Sequence, residues 1–294
     1  MMPLLALLVV TAIWGITFVQ VKDAVEIYPL FAFLTVRFAI ASATLAPFSV
    51  GRFPGFDRRG LVAGLGLGGL LALGYALQTA GLARTTVSST GFITGLCVVL
   101  TPITVFLLFR DHIPRAVWVG VGLSTIGLAM LFGIEAGSAV GDVLVLGGAV
   151  AYALQIVLLE RYAPDYDPVA FTLVEMLAAF VGFTAIAVAR GDLSVPHGWT
   201  VWGALLVTGI FASALAFLVQ TWAQRELSAT RTALVFAAEP VFAGLFGYLL
   251  AGDRLGAMGW AGCALILTGI VVSEPGAAKT LRRLALSGEA REEA

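Results

Sequence analysis

Charge is what this chain has least of. Asp, Glu, Lys and Arg together make up 12% of its 294 residues, against 60% apolar residues, and the mean hydropathy is +0.98. No soluble core of that length hides so much apolar surface, so lipid is the solvent for most of the chain. Histidine occurs only as His112 and His197, both between apolar runs. With no His-Glu-x-x-His, no Gly-x-Ser-x-Gly and no paired intramembrane aspartates, metal-dependent and triad hydrolysis lack their groups. Cys97 and Cys263 sit inside apolar runs, far from any Cys-x-x-Cys spacing, and read as packing residues. No metal site and no cofactor is expected. The phosphate-binding pattern Gly-x-x-x-x-Gly-Lys-Ser/Thr is missing, which favours downhill or ion-coupled movement over ATP hydrolysis by this chain. A basic stripe interleaved with aromatics is missing too, so nucleic acid is not an expected partner.

What the chain does have is apolar runs, one after another. Crossing a hydrocarbon core takes about 20 apolar residues per helix. Charged breaks divide the sequence into ten such spans, near 3–21, 30–50, 60–82, 86–109, 116–134, 142–159, 168–189, 199–222, 229–250 and 256–274. The first has no basic leader and reads as a helix rather than a cleaved signal. The expected fold is therefore all-α, a polytopic membrane protein of ten transmembrane helices. With ten spans both termini share a side, and that side collects twelve basic residues, whereas the other has only Lys22, Arg84, Arg190 and Arg254. The bias places both termini in the cytoplasm. Arginine outnumbering lysine and the short loops suggest a bacterial inner membrane.

The two halves match. Tyr75, Gln78 and Thr79 face Phe217, Gln220 and Thr221 at a spacing of 142, and Pro102 faces Pro240 at 138. The spacing of 142 then returns, setting Asp111, Trp118, Gly120, Leu123 and Gly127 opposite Asp253, Trp260, Gly262, Leu265 and Gly269. Trp14 and Thr17 align with Tyr152 and Gln155. Residues 1–136 and 137–274 thus form two five-helix repeats, with 275–294 a cytoplasmic tail. Five is odd, so the second copy enters the membrane from the opposite face. Inverted repeats characterise carriers that alternate access to a midplane site, although duplication can also build a merely stable bundle.

Several residues stand out by depth. Trp14 and Tyr152 lie near the middle of their spans, away from the interfacial aromatic belts. Val10, Trp14 and Thr17 share one helical face, and Gly148, Tyr152 and Gln155 another; each face either packs or lines a cavity. Gln78 and Gln220 lie toward helix ends, as gate residues or as interfacial ones. Thr94, Cys97 and Thr101 form a stripe matched by Thr232, Val235 and Glu239. Pro102 and Pro240 free the carbonyls of Val98 and Phe236 and kink their helices.

Three ionisable residues fall inside spans: Arg37, Glu175 and Glu239. Charge at depth is costly, and is usually paired or functional. Inversion puts Arg37 and Glu175 in opposite leaflets, which argues against a direct bridge and makes Arg231 the candidate partner of Glu175. Glu239 could exchange a proton, meet a substrate amine, or hydrogen-bond groups freed beside Pro240.

The Trp14-Gly15 pair, the run TGFITGLCVVLTP, and Glu239-Pro240 followed by GLFGYLLAGDRL resemble the EamA-like branch of the drug/metabolite transporter superfamily. The resemblance covers nearly the whole chain. It implies a ten-helix inverted-repeat fold with a central cavity, and export of amino acids, related metabolites or toxic compounds. Asp111-His112 and Asp253-Arg254 stand where an acidic-Arg pair usually closes the helix, so the first pair departs from the pattern. The expected partners are a small-molecule substrate, the lipid bilayer and protons as coupling ion. Trp14, Thr17, Tyr75, Gln78, Thr94, Tyr152, Gln155, Gln220 and Glu239 are the candidate substrate-binding residues. A channel or a membrane-embedded enzyme is the alternative.

Overall fold

A computed structural model describes residues 2–133, 138–251 and 256–274. The expected boundary between the halves at 136/137, the Asp253-Arg254 pair and the tail from residue 275 lie outside the described residues.

The chain runs through α1 (Met2–Ile27), α2 (Leu30–Ser49), α3 (Arg58–Leu82), α4 (Val87–Gly95), α5 (Cys97–Phe109), α6 (Arg115–Phe132) and α7 (Ala139–Tyr162). It continues through α8 (Pro168–Arg190), α9 (Trp199–Gly209), α10 (Ala216–Ala223), α11 (Ala229–Phe236), α12 (Glu239–Phe246) and α13 (Ala257–Ser273). Among the described residues no strand occurs, and eight helical segments are long and apolar enough to cross a membrane. Helix α13 (Ala257–Ser273) is a shorter apolar helix.

Polar side chains start several of these helices. Asp57 caps α3 by accepting from the Gly60 amide at 2.8 Å, and Thr86 caps α4 by accepting from Ser89 at 3.0 Å. Asp167 accepts from the amides of Val169 and Ala170 at the head of α8, with Pro168 in the first turn where its missing N–H costs nothing. Helix α8 ends on Gly191 in the left-handed conformation (φ 69°).

Between helices in lipid there is little hydrophobic drive, so close backbone approach has to supply the attraction. Helices α6 and α13 pack together on glycine. A Cβ on Gly127 would sit 2.6 Å from the Gly262 carbonyl oxygen, and one on Gly269 would sit 2.6 Å from that of Gly120. Gly15 does the same for α1, where a Cβ would meet Phe242 of α12 at 2.7 Å. Helix α3 lies against α7 and α8, α2 against α8 and α9, and α5 against α7 and α11.

The antiparallel pair α2 and α8 is held at both ends by tyrosine. Ahead of α2, Tyr28 donates its hydroxyl to the Ser194 carbonyl beyond α8 at 2.6 Å. Ahead of α8, Tyr166 donates to Asp57 beyond α2 at 2.8 Å. The Gly60 amide first, and then the Tyr166 hydroxyl, hold the Asp57 carboxyl below the usual carboxylate range. Arg52 pairs with Asp167 at 3.2 Å beside this contact.

The sequence places kinks at Pro102 and Pro240. The interruptions lie ahead of both: at Leu96, where α4 gives way to α5, and at 237–238, where α11 gives way to α12. Helix α5 continues through Pro102, whereas Pro240 lies in the first turn of α12. Sequence alone misses two further irregularities, the π-helical turn Ile210–Leu215 between α9 and α10 and a second one, Gly247–Ala251, after α12.

Candidate functional site

Two of the residues that stand out by depth, Trp14 and Arg37, meet at the π-turn between α9 and α10. Within the π-turn the Ala212 carbonyl accepts from Trp14 Nε1 at 2.8 Å and from Arg37 Nη2 at 3.2 Å, while Arg37 Nε donates to Ser213 Oγ at 2.7 Å. A π-turn breaks the regular ladder and leaves a carbonyl to be satisfied from outside, and indole and guanidinium do that here. Arg37 is therefore buried without an ion pair, spending its donors on a neighbouring helix among the described residues.

Aromatic rings join these groups to the opposite wall. The Trp14 ring lies 4.9 Å from Phe236, edge-on, and 5.9 Å from Phe217. Phe217 reaches Phe38 at 6.4 Å, Phe38 reaches Tyr75 at 6.2 Å, and Tyr75 meets Tyr152 edge to face at 5.6 Å. Tyr152 reaches that place because α3 has a glycine opposite it: a Cβ on Gly74 would lie 2.5 Å from the Tyr152 ring. The Tyr152 hydroxyl donates to Gln78 Oε1 at 3.1 Å, and Gln78 Nε2 donates to Thr94 Oγ1 at 2.9 Å.

Glu239 completes the set. Its position at the start of α12 puts its carboxyl at the positive end of a helix. It feels the charge of Arg37 and is felt by Tyr152. Among the described residues its carboxyl has no side-chain hydrogen bond, including to the groups freed near Pro240. Trp14, Tyr75, Gln78, Thr94, Tyr152 and Glu239 are all partly accessible.

The remaining candidates lie elsewhere. Thr17 is buried, with its hydroxyl donating to the carbonyls of Ile13 and Trp14 in its own helix. Gln155 and Gln220 are buried in a separate cluster with Glu175: Gln155 Nε2 donates to Glu175 Oε1 at 2.7 Å, and Gln220 Nε2 donates to Gln155 Oε1 at 3.2 Å. Gln220 is 1% exposed. Arg231 is not the partner of Glu175: its Nε and Nη2 donate to Glu274, and Glu175 accepts instead from Gln155. Phe38, Phe217, Phe236 and Ser213 are the residues that sequence reading missed. Phe217, facing Tyr75 in the repeat, and Phe236, four residues before Pro240, carried a signal.

A groove of about 750 Å³ opens beside α3 at its C-terminal end, lined by Phe31, Leu77, Thr79, Arg84, Ile186 and Arg190. It shares no residue with the aromatic site.

Comparison with known proteins gives a consistent picture. The model of the EamA-like transporter family matches residues 1–133 and again 139–273. An uncharacterized transporter of Archaeoglobus fulgidus is 32% identical over 91% of this chain and 84% of its own length. The uncharacterized inner membrane transporter YedA of Escherichia coli is 26% identical over 91% of this chain and 89% of its own. A solved crystal structure superposes with a TM-score of 0.77 at 18% identity, covering 93% of this chain and 97% of that one, which shows a shared fold.

Proposed function

This chain belongs to the EamA-like transporter family and is an integral membrane protein, and from that premise we propose that it is a secondary transporter which exports a small metabolite, an amino acid or related compound, by alternating access. The observation that carries the proposal is the joint of α11 and α12. It sets the Glu239 carboxyl in the first turn of α12, within electrostatic reach of Tyr152 and of Arg37. Broken helices of this kind build midplane sites in carriers. Glu239 meets a cationic group of the solute, the rings cover its apolar part, and Tyr152, Gln78 and Thr94 supply hydrogen bonds. Protons are the coupling ion, the membrane is the bacterial inner membrane, and both termini are cytoplasmic.

Ten spans in two inverted five-helix repeats complete this reading. Four observations support it. The family model fits two consecutive segments of nearly equal length. The contact of Gly120 with Gly269 becomes that of Gly262 with Gly127 when each residue is replaced by its counterpart at a spacing of 142. The two tyrosines that clasp α2 and α8, Tyr28 and Tyr166, are 138 apart, the spacing of Pro102 and Pro240. Finally, the packing of α3 on α7 is mirrored by that of α10 on α1.

The test is a ligand-induced thermal-shift screen of amino acids, nucleosides and related metabolites on the purified protein, followed by flux in liposomes. A carrier shows saturable uptake and counterflow. Flux without saturation or counterflow would mean a channel, and chemical conversion of the solute would mean an enzyme.

A further inference from the structure

A second polar cluster lies apart from the aromatic site, where the C-terminal part of α7 meets α8 and α10. Its hydrogen bonds form a chain. Gln224 donates to the Ile156 carbonyl at 2.8 Å; Gln220 donates to Gln224 Oε1 at 3.0 Å and to Gln155 Oε1 at 3.2 Å; Gln155 donates to Glu175 Oε1 at 2.7 Å. Beside it, Thr172 donates to Thr221 at 2.9 Å. None of the four long side chains is more than 2% exposed.

The chain runs short of donors at the end where Glu175 sits. Glu175 Oε2 and Gln220 Oε1 are both buried without a partner. An ionised carboxylate only accepts hydrogen bonds, whereas the acid form contributes one donor. A buried carboxylate also requires a cation or many donors to remain ionised, and Glu175 has one donor, Gln155.

Among the described residues, every element packed around Glu175 leaves it without a counter-charge. Helix α3 presents Gly68, whose α-carbon closely approaches the Glu175 backbone carbonyl. On α2, Arg37 is bound to Ser213 and Ala212. Helix α10 has no titratable residue. On α7, Tyr152 is directed to Gln78, and Glu160 accepts from the Ala229 amide. Arg231, the nearest candidate by sequence, is paired with Glu274.

We propose that Glu175 is a proton-binding site, separate from Glu239, whose acid form completes the Gln155–Gln220–Gln224 chain and so closes this end of the bundle. When α8 parts from α7 and α10, the carboxylic acid meets water and releases its proton; when the helices return, it takes one up. The chemistry is one proton exchanged with water and no other bond. The link to solute movement rests on the alternating-access reading, but the proton site does not.

Infrared difference spectroscopy of the purified protein in lipid nanodiscs, recorded across a pH titration, tests the site directly. The wild type is expected to show the carbonyl stretch of a protonated, hydrogen-bonded carboxylic acid that Glu175→Gln removes and Glu239→Gln leaves in place. Identical spectra for the wild type and Glu175→Gln would overturn the proposal. Glu175→Asp keeps a titrating group, so if Glu175→Gln does not fold, the band must shift in Glu175→Asp, and an unmoved band overturns the proposal as well. In liposomes Glu175→Gln is expected to keep solute exchange and lose its response to a pH gradient. An unaltered response would sever the site from transport while the spectroscopic assignment stood, and absence of any solute flux in the wild type would instead count against the carrier reading.

Discussion

Trp14 and Arg37, from different helices, donate to the same acceptor: the Ala212 carbonyl takes the indole Nε1 at 2.8 Å and the guanidinium Nη2 at 3.2 Å. That carbonyl belongs to the π-turn between α9 and α10, so one irregular turn fixes both an aromatic wall and a buried cation. Trp14→Phe keeps most of the ring packing on Phe236 and removes the hydrogen bond. Because Arg37 still satisfies Ala212, the expected loss of stability is only about 1 kcal/mol. Thermal denaturation in detergent measures it, and solute affinity should fall with it, because the Trp14 ring is no longer held in place.

The seam of α6 and α13 makes a prediction about size rather than chemistry. Gly127→Val pushes a branched side chain toward the Gly262 carbonyl, which stands 2.6 Å from a Cβ at that position. Separating the two helices is expected to cost about 1–3 kcal/mol. Gly122, which has open space around it, accepts the same change without loss. Comparing the melting temperatures of the two variants checks this.

Glu239→Gln retains shape and hydrogen-bonding capacity and loses charge. If the carboxyl meets a cationic group of the solute, the variant folds and its affinity drops roughly 10–100-fold, the value of a charge-assisted hydrogen bond. Isothermal titration with a solute identified in the screen reads this. Unaltered affinity would remove Glu239 from recognition.

Outside the membrane, Asp57 links stability to pH. Its carboxyl is held below its ordinary range by the Gly60 amide and the Tyr166 hydroxyl, so the unfolded state binds its proton more readily than the folded one. The stabilisation is complete above the ordinary carboxylate range and is lost as pH falls through the lower folded value. Asp57→Asn is therefore expected to be less stable than the wild type at neutral pH, with the difference shrinking in acid. Unfolding followed at several pH values decides it, and a gap that does not narrow would separate Asp57 from the effect.

Orientation is open to a direct test. A periplasm-active reporter fused after Ala278 should be silent, and one inserted near Gly137 should be active. The opposite pattern would reverse both the positive-inside assignment and the direction of the repeat.

Pattern and composition made the helical, lipid-embedded character of the chain legible, because each span carries its own hydrophobic signal and needs no partner to reveal it. Depth along a helix likewise singled out Trp14, Tyr152 and Glu239, since a tryptophan, a tyrosine or a carboxyl far from the interface is unusual on its own. Partnership was not legible. Arg231 stood near Glu175 by topology, yet it pairs with Glu274, and Glu175 turns to Gln155 on another helix. Nor did sequence separate Gln78, in the accessible site, from Gln220, its counterpart in the buried cluster.

Residue order alone sets where the chain is apolar enough for lipid and which glycines recur between the halves. Those properties are local, carried by single residues or their spacing. Helix packing alone makes Trp14 and Arg37 share the Ala212 carbonyl, gives Tyr152 its room at Gly74 and leaves Glu175, among the described residues, with no cation. Each depends on the rotation and depth of one helix against another. A shift of one residue turns a side chain by about 100° around its helix, enough to trade a cavity wall for a packed seam.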